Sequence, residues 1–303
     1  MEELAITNLT RPWILARLAC GVAAAGLVLH ALRVSLRVLR HWRLGATSEG
    51  QLAVERRAEL VAALVQMGLV LSVLGLAIFA LGADRSAASI RGAMCAYGVL
   101  GSSSVGFLAL GSGLFTALLA ALWLVLHRLD LRLARPTLTR RKFMALVGLA
   151  PVVAVDQIAF AAFALDLDFG VVATCCASGL DAGGALVRGA ESGGGAGVFG
   201  AALALAAGAA VALAVVRRRP GRAAWRAGGR RVAALVAMLP AVLGFVAPHA
   251  YGTPRHLCPF CLLGPEAAYL GWALYGALFA ATALGLGVAL VESQRGASDE
   301  PAA

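Results

Sequence analysis

The stretch VGFLALGSGLFTALLAALWLVL, residues 105–126, decides the class of fold. It contains no charged residue and exceeds the roughly 20 residues that an α-helix needs to cross about 30 Å of hydrocarbon. Other apolar runs reach this length in a chain of 303 residues that is 60% hydrophobic and 14% charged. Soluble domains carry considerably more charge. The sequence therefore predicts an all-α, polytopic integral membrane bundle.

Seven membrane spans are predicted in all, and they form a single transmembrane domain over residues 1–303. The connections between them leave no room for a separate soluble domain. The first run follows the acidic pair Glu2 and Glu3 and lacks a small-residue cleavage site, so we expect a retained span and not a cleaved signal. The predicted spans are residues 13–36, 60–81, 105–126, 143–164, 198–216, 232–246 and 262–291.

The basic residues lie in short blocks that follow the first, third and fifth predicted spans. With seven spans and the N-terminus outside, 20 of the 26 basic residues fall on the inner side. This asymmetry is the pattern by which membrane proteins mark their cytoplasmic face. The net charge of +10 is therefore explained by membrane sidedness, and nucleic acid is not an expected partner. We expect a multi-pass protein of a bacterial inner membrane, with its N-terminus outside, its C-terminus inside and lipid around it.

Three cysteine regions face the outside in this arrangement. They are Cys95, the adjacent pair Cys175 and Cys176, and the C-P-x-C motif of Cys258 and Cys261. The outer face of a bacterial inner membrane is oxidising, so thiols there usually pair or bind metal. We expect Cys258 to lie near the N-terminus of the last helix, where the helix dipole stabilises a thiolate.

The spacing of Cys258 and Cys261 suits three roles. It suits a redox disulfide across one helical turn, two ligands of a tetrahedral metal ion, or a structural disulfide that pins a loop. Adjacent cysteines bridge each other only through a strained ring, so Cys175 and Cys176 are expected to pair elsewhere, exchange or bind a soft metal. The metal hypothesis assigns a zinc, copper or mercury ion to a defined set of ligands: Cys175, Cys176, His256, Cys258 and Cys261.

Asp156 is the carboxylate inside the fourth predicted span. An ionisable group at that depth is costly and usually faces the bundle interior, where it is paired or carries protons. We predict either a proton acceptor for quinone chemistry, or a structural group that contacts Gln157 or pairs with Arg17. The predicted catalytic set is thus Cys258, Cys261, Cys175, Cys176 and Asp156.

The segments around Cys95, Cys175–Cys176 and Cys258–Leu262 resemble those of an uncharacterised family of multi-span bacterial membrane proteins with outer-face cysteines. In function, the C-x-x-C pair is similar to that of the quinone-linked DsbB and vitamin K epoxide reductase types. Those proteins also carry a C-x-x-C at the outer end of a helix and a second cysteine pair in an outer loop. They are about half this size, and their second cysteines are not adjacent. Mercuric-ion transporters, which are also shorter, carry a similar adjacent pair.

Three classes of function follow. The favoured hypothesis is a membrane thiol–disulfide protein that passes electrons from its outer cysteines, with a quinone as the candidate acceptor and a periplasmic thiol protein as partner. The alternative is a protein that binds or transports a soft metal ion through the same cysteines. The third class is an accessory subunit of a larger membrane complex, in which disulfides only fix the outer loops.

Overall fold

A computed structural model of the chain describes residues 8–41, 49–132, 138–173, 242, 246–251 and 258–298. These residues are helical apart from turns and a single isolated bridge between Arg91 and Val172. The helices are α1 (Pro12–His41), α2 (Glu49–Ser86), α3 (Ala96–Gly101), α4 (Gly106–Arg132), α5 (Thr139–Asp166), α6 (Ala247–Tyr251) and α7 (Leu270–Ser298). Three short 3₁₀ turns, Ala87–Ser89, Phe260–Leu263 and Pro265–Ala267, connect them.

Five helices in the described part of the chain, α1, α2, α4, α5 and α7, are long and apolar enough to cross a membrane. The all-helical prediction is therefore confirmed for these residues, and the five helices fit a multi-pass membrane protein. Each overlaps one of the predicted spans. The other two predicted spans, 198–216 and 232–246, lie outside the described residues except for positions 242 and 246, so the count of seven stays a prediction.

The last helix begins later than the sequence suggested. The predicted span starts at residue 262, whereas α7 begins at Leu270. Gly264 and Pro265 interrupt the helical path, since Gly264 is extended and Pro265 opens a separate 3₁₀ turn. Cys258 therefore precedes α7 by two short turns, and the expectation that it lies at the N-terminus of the long helix is wrong.

The chain divides into two compact units. The first contains Met1–Arg85 and Val99–Val171, and the second contains Ser86–Gly98 and Val172–Ala303. In the first unit, α5 packs against α1 and α4. Its apolar core combines residues from all four long helices, for example Val28, Val65, Trp123 and Leu146.

Polar contacts tie the first unit together at the end where α1 begins. The carboxylate of Asp166, the last residue of α5, accepts hydrogen bonds from the Ser103 hydroxyl at 2.8 Å and from the Ser104 amide at 2.8 Å, just before α4 starts. The Asn8 side chain donates to the Leu167 carbonyl. α1 and α4 end, and α2 and α5 begin, at the opposite end of this unit, and these helix ends carry most residues of the first two basic blocks.

Four aromatic rings fill the first unit near that same α1 end. Trp13 stacks on Phe79 with ring centroids 6.3 Å apart, and Phe79 makes an edge contact with Phe160 at 5.0 Å. Phe163 completes the group. Gly82 makes room for it, because a Cβ added there would lie 2.6 Å from Cγ of Trp13.

We expect Gly82→Ala to destabilise the protein by about 1–3 kcal/mol, since the added methyl group forces the Trp13 ring to move. Gly111→Ala on α4 is the matched control, because a Cβ there meets nothing within 4 Å. It should be neutral or slightly stabilising through helix propensity. Thermal unfolding in detergent measures both variants, and equal melting temperatures for the two would contradict this description of the packing.

Candidate functional site

The segment before Cys95 is held by backbone contacts inside the second unit. The amide of Ala173 donates to the Arg91 carbonyl at 2.8 Å. Gly92 has φ of +79° and approaches Ala173 so closely that a Cβ would collide with the Ala173 carbonyl oxygen. Only glycine adopts that conformation without strain. Residues 91–93 and 172–173 therefore lie side by side and fix the chain that leads into Cys95.

The segment that carries Cys258 and Cys261 folds into two successive 3₁₀ turns. Phe260–Leu263 forms the first, which the Gly264 amide closes on the Cys261 carbonyl at 3.0 Å. Ala268 and Tyr269 follow the second turn with φ of 49° and 58°. These left-handed residues reverse the chain, and the Tyr269 amide donates back to the Gly264 carbonyl at 3.0 Å. The chain then enters α7.

Cys95, Cys258 and Cys261 meet in the second unit, and we call them the three-thiol cluster. All three sulfur atoms lie within 4.8 Å of one another. The Sγ atoms of Cys95 and Cys258 are 3.6 Å apart. Cys258 is fully buried and Cys95 is 2% exposed, whereas Cys261 is half-buried. Two of the three predicted cysteine regions thus come together.

Apolar groups surround the cluster. Tyr97 and Phe260 pack against Cys95 and Cys258, and their two rings are 6.1 Å apart. From α7, the Tyr275 hydroxyl donates a 2.6 Å hydrogen bond to the carbonyl of Pro259, between the two cysteines of the motif. The cluster is consequently shielded from solvent on several sides, with Cys261 as its most exposed member.

The sulfur separations can be compared with those that the predicted roles require. A disulfide needs an S–S distance of about 2.05 Å, well below the 3.6 Å between Cys95 and Cys258. Two sulfurs bound at about 2.3 Å to one tetrahedral ion are about 3.8 Å apart. Thiolate ligands prefer soft ions such as copper(I) and zinc. The arrangement of the three thiols therefore suits a soft metal ion.

The structure does not describe three of the predicted metal ligands. Cys175, Cys176 and His256 lie outside the described residues, so their predicted roles stay predictions. Among the described residues, the group of three or more potential ligands that meet is made of cysteines alone.

Asp156 lies in the first unit and contacts both Arg17 and Gln157, the two residues predicted as its partners in a structural role. Its Oδ2 atom forms a 2.8 Å ion pair with Arg17 and accepts a 2.8 Å hydrogen bond from Gln157. Arg17 and Asp156 are each 1% exposed. The Arg17 guanidinium also lies 4.8 Å from the centre of the Phe160 ring. Asp156 thus has charged and polar partners inside the bundle, and its role in quinone chemistry stays a prediction.

A second buried ion pair was not expected from the sequence. Lys142, which belongs to the basic block after the third predicted span, lies in the first turn of α5 and is 5% exposed. Its Nζ atom is 2.7 Å from Oδ2 of Asp130 on α4, which also accepts a 2.9 Å hydrogen bond from Thr139. The only available signal was that Lys142 is the one lysine of the chain.

Comparison of the chain with protein-family models, with curated proteins and with solved structures finds no match. The class that the fold supports is a multi-pass helical membrane protein, and its function has to be argued from the site itself.

Removal of either partner from the buried Arg17–Asp156 pair leaves an uncompensated charge in an apolar bundle. We therefore expect Arg17→Met and Asp156→Leu to cost about 3–5 kcal/mol each. The double variant should recover most of that loss, because two apolar side chains replace the pair. Gln157→Leu removes two hydrogen bonds, one from Arg17 Nη1 to Gln157 Oε1 and one from Gln157 Nε2 to Asp156 Oδ2, and should cost about 2–3 kcal/mol. Unfolding in detergent measures all four variants, and additive losses in the double variant would show that the two side chains do not stabilise each other.

Proposed function

We propose that this chain is a membrane protein that binds a soft metal ion through the thiolates of Cys95, Cys258 and Cys261. The observation that carries the proposal is the mutual approach of three sulfur atoms within 4.8 Å. Three sulfurs close to one another form the greater part of the tetrahedral ligand set that a soft metal ion takes in a protein. Burial of Cys95 and Cys258 also favours a bound ion over exchange with a large protein substrate, which needs an accessible sulfur.

Metal binding also accounts for the chemistry of a buried group of thiols. Ligand thiols lose their protons when a metal binds, and the ion's positive charge offsets the negative charge of the thiolates. Copper(I), zinc and mercury(II) are the ions that the all-sulfur set favours. Cys175, Cys176 and His256, predicted from the sequence as further ligands, remain proposed contributors.

We further propose the orientation indicated by the charges: seven spans in a bacterial inner membrane, with the N-terminus and the cysteine regions outside. The support is the 20 of 26 basic residues that this topology places inside. The positions of the connections agree with it. Basic residues cluster where α1 and α4 end and where α2 and α5 begin, whereas the connection between α2 and α4 holds Cys95.

The test is metal binding by full-length protein purified anaerobically. We expect wild type to retain one zinc or copper(I) ion per chain after removal of excess metal. Structural zinc sites with four ligands are worth about 10–16 kcal/mol, so loss of one ligand should weaken binding roughly 100-fold or more. Cys95→Ser, Cys258→Ser and Cys261→Ser should each do so in competition with a chromophoric chelator.

Cys20→Ser is the matched control, because Cys20 lies half-buried on α1 in the first unit. It should bind metal as the wild type does. A wild-type protein that takes up neither zinc nor copper(I) would exclude the proposal.

A thiol–disulfide function is the second candidate, and one observation favours it. Cys258 has two other cysteine sulfurs within 4.8 Å, so its disulfide partner can change. The Cys95 thiolate would attack Cys258 of a Cys258–Cys261 disulfide, form the Cys95–Cys258 bond and release the Cys261 thiolate. The original disulfide would arise by transfer of two electrons and two protons from the thiols to a quinone. Metal-free protein with Cys258 trapped in a disulfide would favour this candidate.

A further inference from the structure

The first turns of α7 hold the turn that carries Cys258 and Cys261. Two residues on one face of α7, Gly271 and Tyr275, make this contact from positions four apart in sequence. Neither has chemistry that marks it as a ligand in the sequence, and the sequence analysis assigned them no role. Both belong to the second unit, as does the three-thiol cluster.

Gly271 allows α7 to approach the backbone of the motif. A Cβ added at Gly271 would lie 2.8 Å from both the carbonyl carbon and the carbonyl oxygen of Leu262, the residue directly after Cys261. Backbone atoms in a closed 3₁₀ turn have little freedom to move away. Any side chain at this position would therefore push the turn, with Cys261 on it, away from the helix.

Tyr275 fixes the same turn from one helical turn further along α7. Its hydroxyl donates to the Pro259 carbonyl at 2.6 Å. Pro259 lies between Cys258 and Cys261, the two cysteines of the motif. The ring itself is anchored, because it packs against the apolar group of Val242, Ala247, Leu262 and Ala267. The Tyr275 hydroxyl, held in place on α7, thus fixes the position and orientation of the Cys258–Cys261 segment relative to that helix.

We infer that Gly271 and Tyr275 are positioning residues of the three-thiol cluster, which set the separation of the Cys258 and Cys261 sulfurs and so the site's affinity for a soft metal ion. The inference rests on the proposed function for its metal readout. Groups that orient metal ligands from behind commonly change affinity by about 10–100-fold when they are removed.

The experiment is titration of full-length, anaerobic protein with Co²⁺, whose thiolate charge-transfer bands report ligand geometry, followed by competition with Zn²⁺. Tyr275→Phe removes only the hydroxyl, and Gly271→Ala adds only a methyl group. We expect each to weaken binding about 10-fold and to shift the charge-transfer bands, with a melting transition that shows the variant is folded.

Each variant has a matched control. Tyr269→Phe removes a hydroxyl from a residue that is 57% exposed, and Gly276→Ala adds a methyl group on α7 where nothing lies within 4 Å. Both controls should keep the wild-type affinity and spectrum. If folded Tyr275→Phe binds Co²⁺ within twofold of wild type with unchanged bands, the inference is wrong even though the proposed function stands.

A second measurement needs no metal. The rate at which a small maleimide alkylates Cys261 in the metal-free protein should rise several-fold in Tyr275→Phe and Gly271→Ala, because the turn is no longer held, and should not change in the controls. If wild type binds no metal but these rates rise, the proposed function fails and the positioning role stands. Unchanged rates would overturn the positioning role.

Discussion

A polar group inside an apolar helical bundle has to find its partner within the protein, because no water competes for it. Several polar groups of the described helices meet this requirement, and they do so in two ways. Hydroxyl groups donate to carbonyls one turn back in their own helix, as Ser35 does to Ala31 and Ser72 to Gly68. Charged groups pair between helices, as Arg17 does with Asp156. Each charge pair therefore fixes which helices are neighbours, and α5 takes part in both of those described here.

The pairing also explains the glycines that line the Arg17 side chain. Gly75 on α2 faces the Arg17 side chain, and a Cβ there would lie 3.0 Å from Arg17 Cδ. Gly21 lies one turn beyond Arg17 on α1, where a Cβ would lie 2.8 Å from the guanidinium Nη1. The space that these residues leave lets a long cationic side chain cross the bundle while it stays buried. Glycine lowers helix stability. At these two positions it is needed nevertheless, because a larger residue would leave no room for the ion pair.

The three-thiol cluster is built on a different principle, since its ligands lie on turns between helices. Such turns are positioned by close backbone contacts, and glycine recurs where these contacts are tightest. Gly92 approaches Ala173 beside Cys95, and Gly271 approaches Leu262 beside Cys261. The site thus depends on chain segments that are far apart in sequence. Its geometry follows from close backbone contacts more than from the types of side chain around the three cysteines.

Long apolar runs were enough to predict the helices of the first unit, because a span of this length has only one way to satisfy its backbone in lipid. The C-x-x-C motif likewise identified Cys258 and Cys261 as candidates. Sequence reasoning failed where tertiary contacts decide the outcome. It started the last helix at residue 262, since the apolar character of residues 262–270 hid the break at Gly264 and Pro265. It also gave no role to Tyr275, because neither residue spacing nor charge in the sequence indicates a hydrogen bond to the Pro259 carbonyl.

Zinc-edge X-ray absorption on the full-length, zinc-loaded protein tests the central claim most directly, because it counts the sulfur atoms around the ion. We predict at least three sulfur neighbours at about 2.3 Å in the wild type and one fewer in Cys95→Ser. A first shell made only of nitrogen and oxygen, or the same number of sulfurs in Cys95→Ser as in the wild type, would contradict a metal site formed by Cys95, Cys258 and Cys261.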